Sequence, residues 1–202
     1  MPVVNRPAVP EELRVSEPAV RSEPIPTHER SIALVGLMGV GKSTVGRRLA
    51  RRLGLPFADG DAEIETAAGM TVSDIFSQLG EGEFRAGEAR VMKRLLDGPR
   101  MVLATGGGAI LNTDTQAALK ARAVTVWMRA DLRTIAQRVQ RRDTRPLLRG
   151  RDPLEALKGL ADARYPVYAT ADLTVDVSDG AHTQAVEAIM TALEAYWART
   201  SA

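Results

Sequence analysis

Cysteine is absent from the chain, which excludes a disulfide framework and any zinc or iron–sulfur site held by thiolates. Histidine is nearly absent. His28 and His182 are too few and too far apart in sequence to suggest a histidine-based metal site. No apolar run approaches the ~20 residues that span a bilayer, and the N-terminus lacks the charged-then-apolar pattern of a secretory signal. The cytoplasm is therefore the expected compartment, with no membrane partner. A strong charge of one sign is also lacking: the net charge of +2 sets up no global field to draw nucleic acid. Lysine is scarce, at 4 residues against 23 arginines, so a lone arginine says little and only its place in a pattern counts. Glycine is missing from residues 1–30, which instead hold six of the eleven prolines. Such a segment buries too little apolar surface to offset its ordering entropy and reads as a flexible tail, in preference to a docking peptide.

The remainder has the profile of a folded domain. With 45% apolar and 26% charged residues in 202, the chain is long enough for one domain with a real core, placed at 31–202. SIALVG, from Ser31, is a short apolar run of the kind a buried parallel strand requires. A glycine loop follows, and KSTVGRRLARRLG then carries apolar residues at helical spacing up to Gly54. LPFAD, MVLATGGG, AVTVWMRA and ADLTVDV read as further strands. DAEIETAAG, TVSDIFSQLG, EFRAGEARVMKRLLDG, DLRTIAQRVQRR and AHTQAVEAIMTALEAYW read as helices. Strand followed by helix, repeated about five times, predicts an α/β fold with a parallel sheet and helices on both faces. Ligands in such folds bind beyond the carboxyl ends of the strands. Three strands end in candidate chemistry, at Gly36–Lys42, Asp59–Asp61 and Gly106–Gly108, and the topology predicts that they converge on one edge.

Gly36, Gly41, Lys42 and Ser43 satisfy G-x-x-x-x-G-K-[ST]. Glycines in that loop let successive backbone N–H groups turn toward phosphate oxygens, and the following helix adds its positive N-terminal end. Lys42 can neutralise the β and γ oxygens, and the Ser43 hydroxyl can ligate Mg²⁺. The motif is strong for a nucleoside triphosphate and weak for whatever accepts the phosphate.

Asp59 and Asp61 in FADGD stand at a strand end, where Asp59 can hold Mg²⁺ through water and Asp61 can meet an acceptor hydroxyl. The plainer reading is a turn with Asp61 capping the next helix; beside a phosphate loop the functional reading is the better one. Arg85 and Glu88, three apart on a helix, share a face. By residue type alone they read as a solvated pair, the alternative being an arginine fork aimed by Glu88 at an acceptor carboxylate. TGGGA, Thr105 to Ala109, is either a tight turn or a bare backbone that a substrate oxygen approaches, with positive φ a further use of its glycines. Seven arginines lie from Arg133 to Arg151, in a run with glycine and proline that reads as a mobile lid over about 142–155. No aromatic residue lies in it for base stacking, so nucleic acid is not the expected partner. Arg145 could instead stabilise charge on a transferring phosphoryl group.

GLMGVGKST, FADGD, EFRAGE, TGGGA, RPLL and ARYPVY occur together in this order, and from about Ser31 to Ala195 the chain resembles the shikimate kinase family. The resemblance implies a P-loop, nucleoside-monophosphate-kinase-like fold with a central five-stranded parallel sheet flanked by helices and a mobile lid. It also implies transfer of the ATP γ-phosphoryl group to the 3-hydroxyl of shikimate, in aromatic amino-acid biosynthesis. Position by position, it implies that Gly39, Val40, Gly41, Lys42, Ser43 and Thr44 bind ATP, with Ser43 and Asp59 at Mg²⁺. Asp61 would meet the reacting hydroxyl, Arg85, positioned by Glu88, and Arg164 the acceptor carboxylate, Gly107 the substrate through its backbone, and Arg145 the nucleotide phosphates. A monomer is the expected state. Ala86 and Gly87 stand where the family often carries a bulky or basic pair, and no proline stands near Ser178–Ala181, where members shelter the adenine. Competing readings are another small-molecule kinase, of gluconate type, and a catalytically silent nucleotide-binding regulator.

Overall fold

The computed structural model describes residues 25–140, 152–178 and 182–200. Five strands form one parallel sheet: β1 (Ser31–Val35), β2 (Phe57–Asp59), β3 (Val102–Ala104), β4 (Ala123–Arg129) and β5 (Leu173–Asp176), in the order β2-β3-β1-β4-β5. Parallel neighbours need crossovers, which the helices supply: α1 (Lys42–Leu53), α2 (Gly60–Ala68), α3 (Val72–Gln78), α4 (Gly80–Asp97), α5 (Thr113–Arg122), α6 (Leu132–Gln140), α7 (Pro153–Tyr168) and α8 (His182–Thr200). Every residue of β1 and β3 is buried, which is why these strands read as unbroken apolar runs. The register sets Asp59 beside Ala104 and Leu34 beside Ala104, so β2, β3 and β1 end level with one another. Their C-terminal extensions thereby share one rim.

In α1 the apolar face Val45, Leu49 and Ala50 lies inward, while Arg47, Arg48, Arg51 and Arg52 lie outside the buried set. The main core fills the space between sheet and helices, whereas Ile64, Ile75, Phe84 and Val91 form a smaller cluster under α2, α3 and α4. That second cluster gives α4 its own footing beside the rim.

Several boundaries differ from the sequence expectation. Asp59, not Asp61, caps α2: its backbone is extended and its side-chain Oδ1 accepts the Asp61 N–H at 3.2 Å, as an N-cap aspartate does. Asn112 caps α5 and Asp152 caps α7, two helices that the sequence pattern did not announce. Of the expected tail, residues 1–24 lie outside the described residues, while Thr27–Glu29 form a 3-10 turn beside α8. Arg30 fixes that turn through bonds to the Ile25 and Lys120 carbonyls at 2.8 and 3.1 Å. Of the expected lid, residues 142–151, with Arg145, lie outside the described residues, and residues 152–155 are the cap and first turn of α7. Among the described residues, no helix is long and apolar enough to cross a membrane.

Candidate active site

The loop between β1 and α1 folds because its glycines go where other residues cannot. Gly36 has φ +139°, and a Cβ there would lie 2.5 Å from the Met128 carbonyl oxygen of β4. Gly41 has φ +105° at the N-cap of α1, so the chain enters the helix with Lys42, Ser43 and Thr44 in its first turn. Lys42 is buried, and its Nζ donates to the Gly36 and Leu37 carbonyls at 2.7 and 3.0 Å. On the far side of the loop Arg138, from α6, donates to the Val40 carbonyl at 3.4 Å and the Ser178 carbonyl at 3.2 Å. A cavity of about 190 Å³ opens there between Val40, Gly41, Arg138, Ser178 and His182. Arg138 was not singled out from the sequence, whereas Ser178, on the cavity wall, lies where the resemblance puts the adenine.

At the rim beyond β3, the glycine triplet has ordinary φ values and is shaped by crowding, which rules out the positive-φ explanation. A Cβ on Gly106 would lie 2.5 Å from Glu88 Oε1 and 2.9 Å from Asp61 Oδ1. One on Gly107 would lie 3.2 Å from Arg164 Nη1, and one on Gly108 would lie 2.5 Å from Arg85 Nη1. The bare backbone thus lets four candidate site residues, from α2, α4 and α7, close around it. The triplet's carbonyls are all engaged: Gly106 accepts from the Ala109 N–H, Gly108 from the Leu111 N–H, and Gly107 from the Tyr168 hydroxyl. Its N–H groups, by contrast, have no backbone acceptor among the described residues. Gly106→Ala is expected to push Asp61 and Glu88 apart and to lower kcat/KM by roughly tenfold or more. Steady-state kinetics beside a thermal melt would separate this from unfolding, and unchanged kcat/KM would show that the crowding is immaterial.

Arg85 and Glu88 are not a solvated pair. Glu88 is only 2% exposed, and its Oε2 accepts from Arg85 Nη1 at 2.7 Å. Arg85 also reaches Glu81 Oε1 from Nη2 at 3.1 Å and lies over the Phe84 ring, 5.1 Å from its centroid. Burial pushes the Glu88 carboxyl up; Arg85 pulls it back, and the neighbouring Asp61 charge pushes the same way as burial, leaving it raised. A raised carboxyl binds its proton more tightly folded than unfolded. Its contribution to stability is therefore full below the ordinary carboxylate range and is lost as pH rises through the folded value. Holding Glu88 ionised at neutral pH works against the fold. Glu88 Oε1, moreover, is buried with no hydrogen-bond partner among the described residues. These features suit a group kept to aim the guanidinium better than one kept for stability.

Arg164, on α7, is also buried, and its guanidinium lies against Gly107, next to the Gly108 that faces Arg85. Two guanidinium groups and the Asp61 carboxylate thus gather around the triplet at the strand ends. This cluster adjoins the rim that carries the phosphate loop, since Gly107 lies against Gly36 and Met38. Among the described residues no group of three or more acidic, histidine or cysteine side chains could hold a metal alone.

A phosphate loop at the carboxyl ends of a five-stranded parallel sheet, with the charged cluster around the glycine triplet beside it, marks the fold of a P-loop kinase that acts on a small molecule. A family model described as shikimate kinase matches residues 38–194, and the chain belongs to that family. A Caulobacter vibrioides protein named shikimate kinase is 58% identical over 168 residues, spanning 83% of this chain and 84% of the relative. A Bradyrhizobium diazoefficiens protein of the same name is 54% identical over 167 residues, spanning 83% of this chain and 81% of the relative. The solved structure of shikimate kinase from Acinetobacter baumannii in complex with shikimate superposes with a TM-score of 0.80 at 38% identity, covering 84% of this chain and 95% of that one.

Proposed function

We propose that the protein transfers the γ-phosphoryl group of ATP to the 3-hydroxyl of shikimate, giving shikimate 3-phosphate and ADP. The observation that carries this reading is the gathering of Asp61, Arg85 and Arg164 around the glycine triplet, level with the phosphate loop. Two guanidinium groups facing one cleft suit a compact acid with a carboxylate, and the open N–H of Gly107 suits an oxygen on its ring.

Phosphoryl transfer asks for alignment and charge stabilisation more than for covalent help. Arg85 and Arg164 hold the carboxylate. Asp61 orients the hydroxyl and takes its proton as the new O–P bond forms and the bond to the leaving ADP breaks. Lys42 spreads charge over the β and γ oxygens. Gly39, Val40, Gly41, Ser43 and Thr44 cradle the phosphates, while Arg138 borders the adenine in the cavity near Ser178. Magnesium fits the donors available, the Ser43 hydroxyl and the Asp59 carboxylate, because Mg²⁺ commonly takes one or two protein ligands and completes its shell with phosphate oxygens and water. Bound there, it would neutralise charge on those oxygens.

ADP release measured with shikimate, with gluconate and with neither acid tests the reading. Release that depends on shikimate alone is the expected result. Equal release with no acid, or release driven by gluconate, overturns it. Arg85→Lys keeps the charge but loses the planar fork, and is expected to raise KM for shikimate by roughly tenfold or more, with kcat much less affected. An unchanged KM, read from the same assay, would return Arg85 and Glu88 to a purely structural role.

A further inference from the structure

Tyr168 has no part in the mechanism above, yet it is wholly buried at the end of α7 and its hydroxyl donates to the Gly107 carbonyl. The other two carbonyls of the triplet are satisfied by the 3-10 turn that follows it, Ala109–Leu111, so Gly107 is the one whose carbonyl is held by a distant element. Arg164 stands one turn earlier on the same helix face, with Nη1 against Gly107. The Tyr168 ring is wedged near Trp127 of β4 and Tyr165, with centroids 6.0 and 6.3 Å away, which fixes where the hydroxyl stands. Burial pushes this hydroxyl up to about 12, against a smaller opposing pull from Arg164, so it remains a donor throughout the neutral range.

We propose that Tyr168 is a positioning residue for acceptor binding: by clamping the Gly107 carbonyl to the helix that carries Arg164, it holds the triplet's open N–H and that guanidinium in fixed register, as one receptor for the acceptor's ring oxygen and carboxylate. Without the clamp, the peptide plane that carries the Gly107 carbonyl and the Gly108 N–H loses its anchor on α7, and the spacing between the triplet backbone and Arg164 is no longer set. The proposal rests on the acceptor reading given above. It extends that reading to a residue that touches neither substrate nor phosphate.

Tyr168→Phe keeps the ring and its packing and removes the hydroxyl, and with it the clamp and the hydroxyl's own interaction with Arg164. The expected result is a KM for shikimate raised roughly tenfold, with kcat and KM for ATP within about twofold of the parent. Combining it with Arg164→Ala supplies a second measurement that does not depend on Tyr168→Phe alone. If the hydroxyl acts through this receptor, Tyr168→Phe adds less than about twofold to the KM of Arg164→Ala; an independent effect adds the same factor again. An unchanged KM in the single variant, or full additivity in the double, overturns the proposal. So does an equal fall in kcat accompanied by a lowered melting temperature, which marks a merely structural hydroxyl. If the parent itself does not turn over shikimate, the acceptor reading fails instead, and the two failures are distinguishable in one set of assays.

Discussion

Lys42→Ala is expected to reduce turnover by about a thousandfold or more, leaving ADP release with shikimate close to the rate without protein. Two losses combine. The Lys42 ammonium bonds the Gly36 and Leu37 carbonyls at 2.7 and 3.0 Å, so truncation leaves loop carbonyls without their donor and loosens the cradle itself. The same positive charge is the one proposed to spread over the γ oxygens, and in its buried position little bulk water can replace it. Calorimetric titration with ADP would apportion the two, because the loop's disorder weakens ADP binding while the lost γ contact does not. Near-normal turnover in this variant would take the phosphate loop out of the mechanism altogether.

The fold was legible where burial is continuous. β1 and β3 are apolar at nearly every position because both faces are covered, and the glycine loop between β1 and α1 is a local motif that needs no tertiary context. The helices α5 and α7 were not legible, for different reasons. Only Thr115 and Leu119 are buried on α5, so it has no apolar stripe to announce it. α7 carries Gly159 and Pro166 within its span, and a proline inside a pattern ordinarily ends it; here the helix continues past Pro166 because Tyr168 and Leu157 are locked into the core. The strand order, with β3 between β2 and β1, follows from crossovers that no local pattern encodes.

The candidate site divides along the same line. Lys42, Ser43, Asp59 and Asp61 could be named from short motifs, since their neighbours in sequence are their neighbours in space. Arg85 and Glu88 could be paired by spacing, but the decisive fact, that Glu88 is enclosed against Gly106, belongs to the packing of α4 on the loop after β3. Arg164 could be named only by resemblance, and Tyr168, the last residue of ARYPVY, carried no sign of its own role. A buried tyrosine looks like core until its hydroxyl is seen to hold a carbonyl that the local turn leaves over.

Asp61→Asn is the variant that most directly tests the chemistry assigned to the acceptor side. It preserves shape, and it leaves the N-cap of α2 untouched because that bond uses the Asp61 backbone N–H and the Asp59 side chain. Loss of the favourable interaction of a carboxylate with a helix N-terminus costs the fold about 0.3–1 kcal/mol. Turnover is expected to fall by roughly 10²–10⁴-fold, the usual weight of a group that takes a proton in the transition state, while ATP affinity changes by no more than about threefold. There is a secondary effect with a definite sign. The Asp61 charge pushes the Glu88 carboxyl up, so removing it moves Glu88 back toward the ordinary carboxylate range and makes it ionise at lower pH. The pairing of Glu88 with Arg85 should then persist to more acidic solution, and KM for shikimate should vary less with pH on the acidic side than in the parent. Pre-steady-state phosphoryl transfer, set beside equilibrium nucleotide binding, reads the main effect. If nucleotide affinity fell by the same factor as turnover, Asp61 would belong to the triphosphate side of the cleft; if neither changed, the hydroxyl of the acceptor would have to be oriented by some other group.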